Sequence, residues 1–417
     1  MTKALLAFML LALAVPAAAQ APEEVAAAAL RAAPVWDGHN DVPEQLRGRR
    51  ADVLAGFDFA DTTHEPDGRG GTSAMQTDLR RLRQGHVGAQ FWSVFVSADQ
   101  PETQAAAQTL EQIDVLKRLV ARYPGDMALA LTADDVERAM KQGKIASLIG
   151  MEGGHSIAGS LGVLRQMYAL GARYMTLTHY KTLAWADSAD DLPTHHGLTP
   201  FGEQVVREMN RLGMIVDLAH VSADTMRSAL KVSAAPVIFS HSNARAVVDE
   251  SRNVPDDVLR QLRTNGGLVM VTGVADFVSP ERRLWLAERS ADAARQAWLW
   301  QGDPDKLKAQ AAAWLAAHPE PRTTVAQLAD HVDHIRQVAG IDHIGVGGDF
   351  DGWNAFPAEM PDVSGYPALF AELARRGYSQ ADLEKIASRN MLRVMRAVEA
   401  YAAAHRAEPP IETPVSK

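Results

Sequence analysis

Short apolar runs alternate with longer amphipathic stretches through most of this chain. The runs cover 34–37 (PVWD), 89–96 (AQFWSVFV), 145–151 (IASLIGM), 173–178 (RYMTLT), 214–219 (MIVDLA), 236–240 (PVIFS), 267–272 (GLVMVT) and 343–348 (HIGVGG). They are close to continuous rather than alternating, as expected of strands buried on both faces. Between them, apolar positions recur at helical spacing. The clearest case is 199–213, TPFGEQVVREMNRLG, where Thr199 can cap, Pro200 open and Gly213 close a helix. Eight such strands with intervening helices predict an α/β fold, a (β/α)8 TIM-like barrel, with an open doubly wound sheet as the alternative.

Two stretches exceed a minimal barrel. Residues 44–85 read as a long loop after the first strand. Residues 276–325 read as a helical insertion before the last helix and strand, with Trp and Leu side chains expected to pack against the barrel. Shaping a rim or partner surface is the alternative role. Residues 20–33 are Ala-rich and predict an N-terminal helix. Residues 1–19 read as a signal peptide: Lys3, an apolar stretch over 4–15, Pro16, and small residues near Ala19. An uncleaved anchor is the alternative. A periplasmic or secreted protein is therefore expected, a single domain over 20–405 with a disordered Pro-rich tail over 406–417.

Composition then narrows the chemistry. The chain has 417 residues, 47% hydrophobic and 22% charged, with a formal net charge of -9. It lacks a basic tract, so nucleic acid is not an expected partner, and no later run is long enough to span a membrane. There are no cysteines, so thiolate catalysis and cysteine metal sites are excluded. Any metal must sit on His, Asp and Glu. G-x-S-x-G, P-loop and dinucleotide-binding glycine patterns are absent.

Barrel enzymes carry their chemistry at strand C-termini. Six of the eight runs end in a histidine or carboxylate: His39 and Asp41, Glu152 and His155, His179, His220, His241, and Asp349 with Asp351. Residues two apart in an extended segment share a side, so His39 and Asp41 can reach one metal together. Asp37 shares their parity but lies deeper, and a structural carboxylate is the expected role. His220 and His241 can form a second site, and Glu152, with two oxygens, can bridge two ions. Asp349 is left to bind metal or move a proton. Asp217 is expected to support a ligand rather than be one. His331 and His334 are expected on an outward helix surface, and His195 and His196 in a solvent-exposed loop.

The stretches DGHND, GMEGGHSI, TLTH with WADSA, LTPFGEQVVREMNRLGMIVDLAHVS, FSHSNARAV, RNVPDDVLR and IGVGGDFDG together resemble the membrane (renal) dipeptidase family, from about Val35 to Arg396. The resemblance implies a metallopeptidase with two zinc ions: His39 and Asp41 on one, His220 and His241 on the other, Glu152 between them. It implies that His179 contacts the substrate and stabilises the oxyanion, that Arg252 holds the substrate carboxylate, and that Asp349 shuttles protons. The implied substrate is a dipeptide, with D-residues tolerated at its C-terminal position, and a homodimer is left open. The stretch VTGVADF after the seventh run departs from the polar or aromatic contact expected there. A lactam, lactone or phosphoester hydrolase with the same metals is the second expectation, and a non-catalytic binder the third.

Overall fold

The computed structural model describes residues 20–412, so the expected signal peptide and residues 413–417 lie outside it. Eight parallel strands form a closed barrel: β1 (Val35–Asn40), β2 (Val87–Phe95), β3 (Ile145–Glu152), β4 (Ala172–Thr176), β5 (Ile215–Asp217), β6 (Ile238–Phe239), β7 (Leu268–Val271) and β8 (Ile344–Val346). Each pairs with the next, and β8 pairs back with β1. Closure is also visible in the packing. Trp36, Ala89, Phe91, Ala146, Leu148, Tyr174, Ile215, Ile238, Leu268 and Met270 form one buried cluster drawn from seven strands. Side chains from so many strands meet only inside a barrel. Gly345 on β8 makes room for them: a Cβ there would stand 3.1 Å from Leu268 and 3.2 Å from Met270.

A second buried cluster fills the space between strands and helices, with Leu116, Val206, Met209, Leu262 and Leu328 among its members. Burying side chains of this size contributes roughly 1.5–3 kcal/mol each, which stabilises the two-layer wrap. The helix Pro200–Leu212 forms as its sequence predicts: the Thr199 hydroxyl accepts from the Gly202 amide, and Gly213 ends it at φ 86°. Only glycine takes that left-handed turn cheaply. The expected N-terminal helix spans Pro22–Ala32.

Five expectations need correction. Residues 44–85 are not a plain loop; they hold most of the helix Val42–Arg50, a small hairpin (Glu65–Pro66 with Thr72–Ser73) and the helix Leu79–Gln84. The first of these starts directly at Asp41, and its good helix formers (Glu44, Gln45, Leu46, Arg47) outweigh the loop-like glycine and charge content. The insertion is helical as expected (Pro280–Leu299 and Pro304–Ala317), but its large apolar residues do not all pack inward. Trp285 is buried, whereas Leu284, Trp298 and Leu299 are exposed. His331 is fully buried, because the helix Val325–Val338 turns that side toward the Ala244 amide and the Val278 carbonyl. His195 is half-buried and meets the Leu183 carbonyl. The tail expected to be disordered is docked as far as Ile411, whose N–H donates to Glu208 and whose C=O accepts from Arg165. A three-residue strand, Met127–Leu129, pairs with the start of β3 and was too short to register as an apolar run. Among the described residues no helix is long and apolar enough to cross a membrane.

Candidate active site

Every predicted site residue lies at or just past the C-terminal end of a strand, or in the loop that follows one. His39 is on β1, Asp41 opens the next helix, and Glu152 ends β3. His179, His220, His241 and Asp349 stand two or three residues beyond β4, β5, β6 and β8. The apolar runs overshoot the strands here because Leu177, Leu218 and Ala219 remain buried after the ladder has ended. Asp41 is not extended: its φ of -103° and ψ of 25° start a helix. The turn, rather than strand parity alone, carries its carboxylate beside His39. His220 and Asp349 both sit at φ 63°, where a side chain costs roughly 1–3 kcal/mol. The fold tolerates that strain at two residues whose side chains join the cluster.

The side chains converge on Glu152. Its Oε2 lies 3.3 Å from His39 Nε2, which is 3.4 Å from Asp41 Oδ2 and 3.8 Å from Asp349 Oδ1. Its Oε1 lies 2.9 Å from His220 Nε2 and 3.6 Å from His241 Nε2. The Nε2 atoms of His220 and His241 are themselves 2.9 Å apart. His179 stacks on His220 with ring centres 4.0 Å apart, its Nε2 3.4 Å from Glu152 Oε1. Among the described residues three sets have donor atoms close enough to share an ion: His39, Asp41 and Glu152; Glu152, His220 and His241; His39, His241 and Asp349. His179 and His155 are in none of them. His155 instead meets the Val96 carbonyl at 2.8 Å, and Asp351 accepts from the Gln76 amide.

Protein contacts do not satisfy this cluster. His39 Nε2 and Asp41 Oδ2 are buried with no hydrogen-bond partner. Acceptor lone pairs facing one another at these distances are costly unless a cation lies between them. The donor set, nitrogen and oxygen only, fits a divalent ion of the zinc or manganese type. Burial pulls the imidazoles of His220 and His241 well below their usual range, which keeps them neutral as ligands must be. Burial also lowers His39, but Tyr174, Glu152 and Asp41 outweigh it and hold that ring well above the usual value. Burial raises Glu152, yet His39 and His179 bring it well below the ordinary carboxylate range. Asp349 is pushed well above that range by burial, opposed by His39 and reinforced by Asp41 and Glu152.

A supporting layer fixes these groups. Tyr174 OH lies 2.9 Å from His39 Nδ1, and Ser93 donates to Glu152 Oε2 at 2.9 Å. Asp217 accepts four hydrogen bonds, from the Ala219 and Ser240 amides and the Thr176 and Ser240 hydroxyls. Ser240 Oγ lies 2.8 Å from His241 Nδ1, so Asp217 acts on His241 through one hydroxyl. Asp37 accepts from the His39 and Gly348 amides, which makes it structural; burial raises its carboxyl to about 6. Sequence reasoning missed Tyr174, Ser93 and Ser240, which sit inside or beside apolar runs and carry no ionisable signal.

Arg252 is buried, with Nη1 unpartnered, its Nε 3.7 Å from Asp190, and its guanidinium 5.3 Å from the Phe277 ring centre. On another side of the mouth a cavity of about 760 Å3 opens between Glu44, Gln45, Phe95, Ser97 and Asn354. Phe95 lies 4.4 Å from the His179 ring, so cavity and cluster adjoin. Burial, with Asp41 and Glu152 nearby, lifts the Glu44 carboxyl to about 8.

A parallel barrel with histidines and carboxylates gathered at its C-terminal mouth, and a neighbouring cavity, is the frame of a metal-dependent hydrolase. The sequence model of the membrane dipeptidase family, peptidase family M19, matches residues 23–409. Dipeptidase 3 of Macaca fascicularis is 42% identical over 393 residues, covering 93% of this chain and 70% of its own. A dipeptidase of Schizosaccharomyces pombe is 41% identical over 405 residues, covering 94% of this chain and 87% of its own. Among solved structures, the probable dipeptidase PvdM of Pseudomonas aeruginosa superposes with a TM-score of 0.76 at 25% identity, over 91% of this chain and 99% of that one. A metallopeptidase of Rhodobacter sphaeroides, bound to a phosphinate mimic of L-Ala-D-Ala, shares the fold at a TM-score of 0.70 and 23% identity, over 88% of this chain and 99% of that one. The chain belongs to the membrane dipeptidase family and is a peptide-bond hydrolase of the metallo-dipeptidase type.

Proposed function

We propose that the chain hydrolyses dipeptides with two zinc ions bridged by Glu152. His39 and Asp41 hold one ion, His220 and His241 the other, and Asp349 stands beside the first. The observation that carries this reading is the splay of Glu152, with one oxygen 3.3 Å from His39 and the other 2.9 Å from His220. When bound, the ions supply Lewis acidity, polarising a carbonyl and lowering the pKa of water.

The chain's own residues do the rest. Asp349 takes a proton at its carboxylate from the attacking water and returns it to the leaving amine nitrogen. Burial favours its protonated form, which suits the second half of that transfer. His179 donates from Nε2 to the carbonyl oxygen as negative charge develops there. Arg252 receives the C-terminal carboxylate on the guanidinium edge that has no protein partner. Such a contact does not by itself select the hand of the C-terminal residue, so L,D dipeptides belong to the substrate class. The ligand seen in the Rhodobacter protein supports that extension. The charged and apolar start over 1–19 further supports export to the periplasm or medium, checked by N-terminal sequencing of the mature protein.

The test combines metal analysis with a substrate panel of L,L and L,D dipeptides, lactones and phosphoesters. The expected result is two zinc ions per chain and turnover of dipeptides over the other classes. Fully metallated protein that cleaves lactones or phosphoesters but no dipeptide overturns the reading.

A further inference from the structure

One charged group at the mouth has no task in this scheme. Glu44 occupies the first turn of the helix Val42–Arg50, one residue after Pro43 and three after Asp41. Glutamate at that position commonly folds back to cap its own helix, but no such side-chain cap forms here. Every other carboxylate around the mouth is committed. Asp41, Glu152 and Asp349 belong to the cluster. Asp190 faces Arg252 and His220, Asp99 pairs with Lys181 and Tyr180, and Asp67 accepts from the Arg69 and Gly71 amides. Asp351 accepts from the Gln76 amide, and Asp276 pairs with Arg282. Glu44 has no hydrogen bond or ion pair with any described residue, although it is half-buried in the cavity wall.

Its surroundings define what it lacks. The charged groups that act on it are Asp41, Glu152 and His39. Glu44 follows β1 and Arg252 follows β6, two strands that β7 and β8 separate in the barrel, and Arg252 does not line the cavity that holds Glu44. A dipeptide presents opposite charges at its ends, about 7 Å apart when extended. With its carboxylate on Arg252 and its scissile carbonyl at the cluster, its ammonium falls on the Glu44 side. A desolvated carboxylate beside two others is costly until a cation reaches it.

We propose that Glu44 is the specificity-determining residue for the free α-ammonium group of the substrate, restricting the site to unblocked dipeptides. This rests on the dipeptidase reading above. The experiment measures, by calorimetry on the zinc-loaded enzyme, binding of a phosphinate dipeptide mimic and of its counterpart lacking the α-amine. Wild type is expected to favour the amine-bearing ligand by about 10- to 100-fold, the worth of a charge-assisted contact. In Glu44→Gln the preference should fall to a few-fold, with affinity for the amine-free ligand unchanged. Glu44→Asp, which keeps the charge, should retain part of the preference. Equal weakening of both ligands in Glu44→Gln, or an undiminished preference, overturns the assignment while wild-type dipeptide turnover leaves the broader reading standing. A wild type that turns over no dipeptide removes both.

Discussion

Asp217 touches no metal-ligand atom in the cluster, yet its replacement by Asn should weaken metal binding. Its Oδ2 accepts from the Ser240 hydroxyl at 2.7 Å and the Thr176 hydroxyl at 2.5 Å. Ser240 can donate only one proton. When that proton goes to Asp217, the Ser240 oxygen is free to accept from His241 Nδ1–H, 2.8 Å away. That arrangement fixes the tautomer with a bare Nε2 lone pair, the form a metal requires. In Asp217→Asn an NH2 group can face Ser240. The hydroxyl then donates to His241 Nδ1, and the proton moves to Nε2. The isosteric change preserves volume, and Oδ1 can still accept from the Ala219 and Ser240 amides. The loss is therefore electrostatic and tautomeric: one charge-assisted hydrogen bond, about 1.5–3 kcal/mol, or roughly 10- to 100-fold in affinity at one of two ions. A chelator competition titration with metal analysis reads it directly. Ser240→Ala should cost a similar factor, and the double variant should cost much less than the product of the two, because both break one path. Wild-type metal affinity in Asp217→Asn, or full additivity in the double variant, would refute the chain of contacts.

Three further outcomes follow from the same geometry. His220→Ala should lose about one equivalent of bound metal and nearly all turnover; metal analysis of the purified variant checks it, and two full equivalents would contradict the ligand set. Arg252→Met should raise KM by roughly 10- to 100-fold with a smaller change in kcat, since the carboxylate contact is made in the ground state and transition state alike; steady-state kinetics on one dipeptide separates the two, and an unchanged KM would move carboxylate recognition elsewhere. His331 is buried and neutral, its pKa lowered by burial from 6.5 to about 4. Below pH 6.5 the unfolded chain takes up a proton that the folded state refuses, so stability is full above 6.5 and falls until about pH 4. The gap corresponds to about 3 kcal/mol. Denaturant unfolding at pH 7 and pH 4 should show wild type losing that much more than His331→Gln, and equal losses in the two proteins would refute the buried neutral ring.

The barrel was legible because burial on both faces leaves a plain mark: strands such as β3, IASLIGME, admit no solvent-facing position. The ligands were legible for a related reason. Ionisable groups that end apolar runs are conspicuous, and six such ends point to one mouth in any closed barrel. What stayed hidden is whatever depends on direction rather than residue type. His331 looked like a surface histidine because its helix lies on the outside, but the face it occupies turns inward onto two backbone groups. Tyr174 lies inside an apolar run with nothing to mark it, yet its hydroxyl reaches His39. Glu44 opens the stretch that reads as a loop after the first strand, and its position beside Asp41 follows from a turn that strand parity does not predict. The strain at His220 and Asp349 is of the same kind, since nothing in AHVS or GGDF announces a left-handed backbone without glycine. Local sequence thus reports which groups are present and how deep they lie. Their aim is set by turns at the strand ends, where backbone cost is accepted because the neighbouring strands hold the chain on both sides.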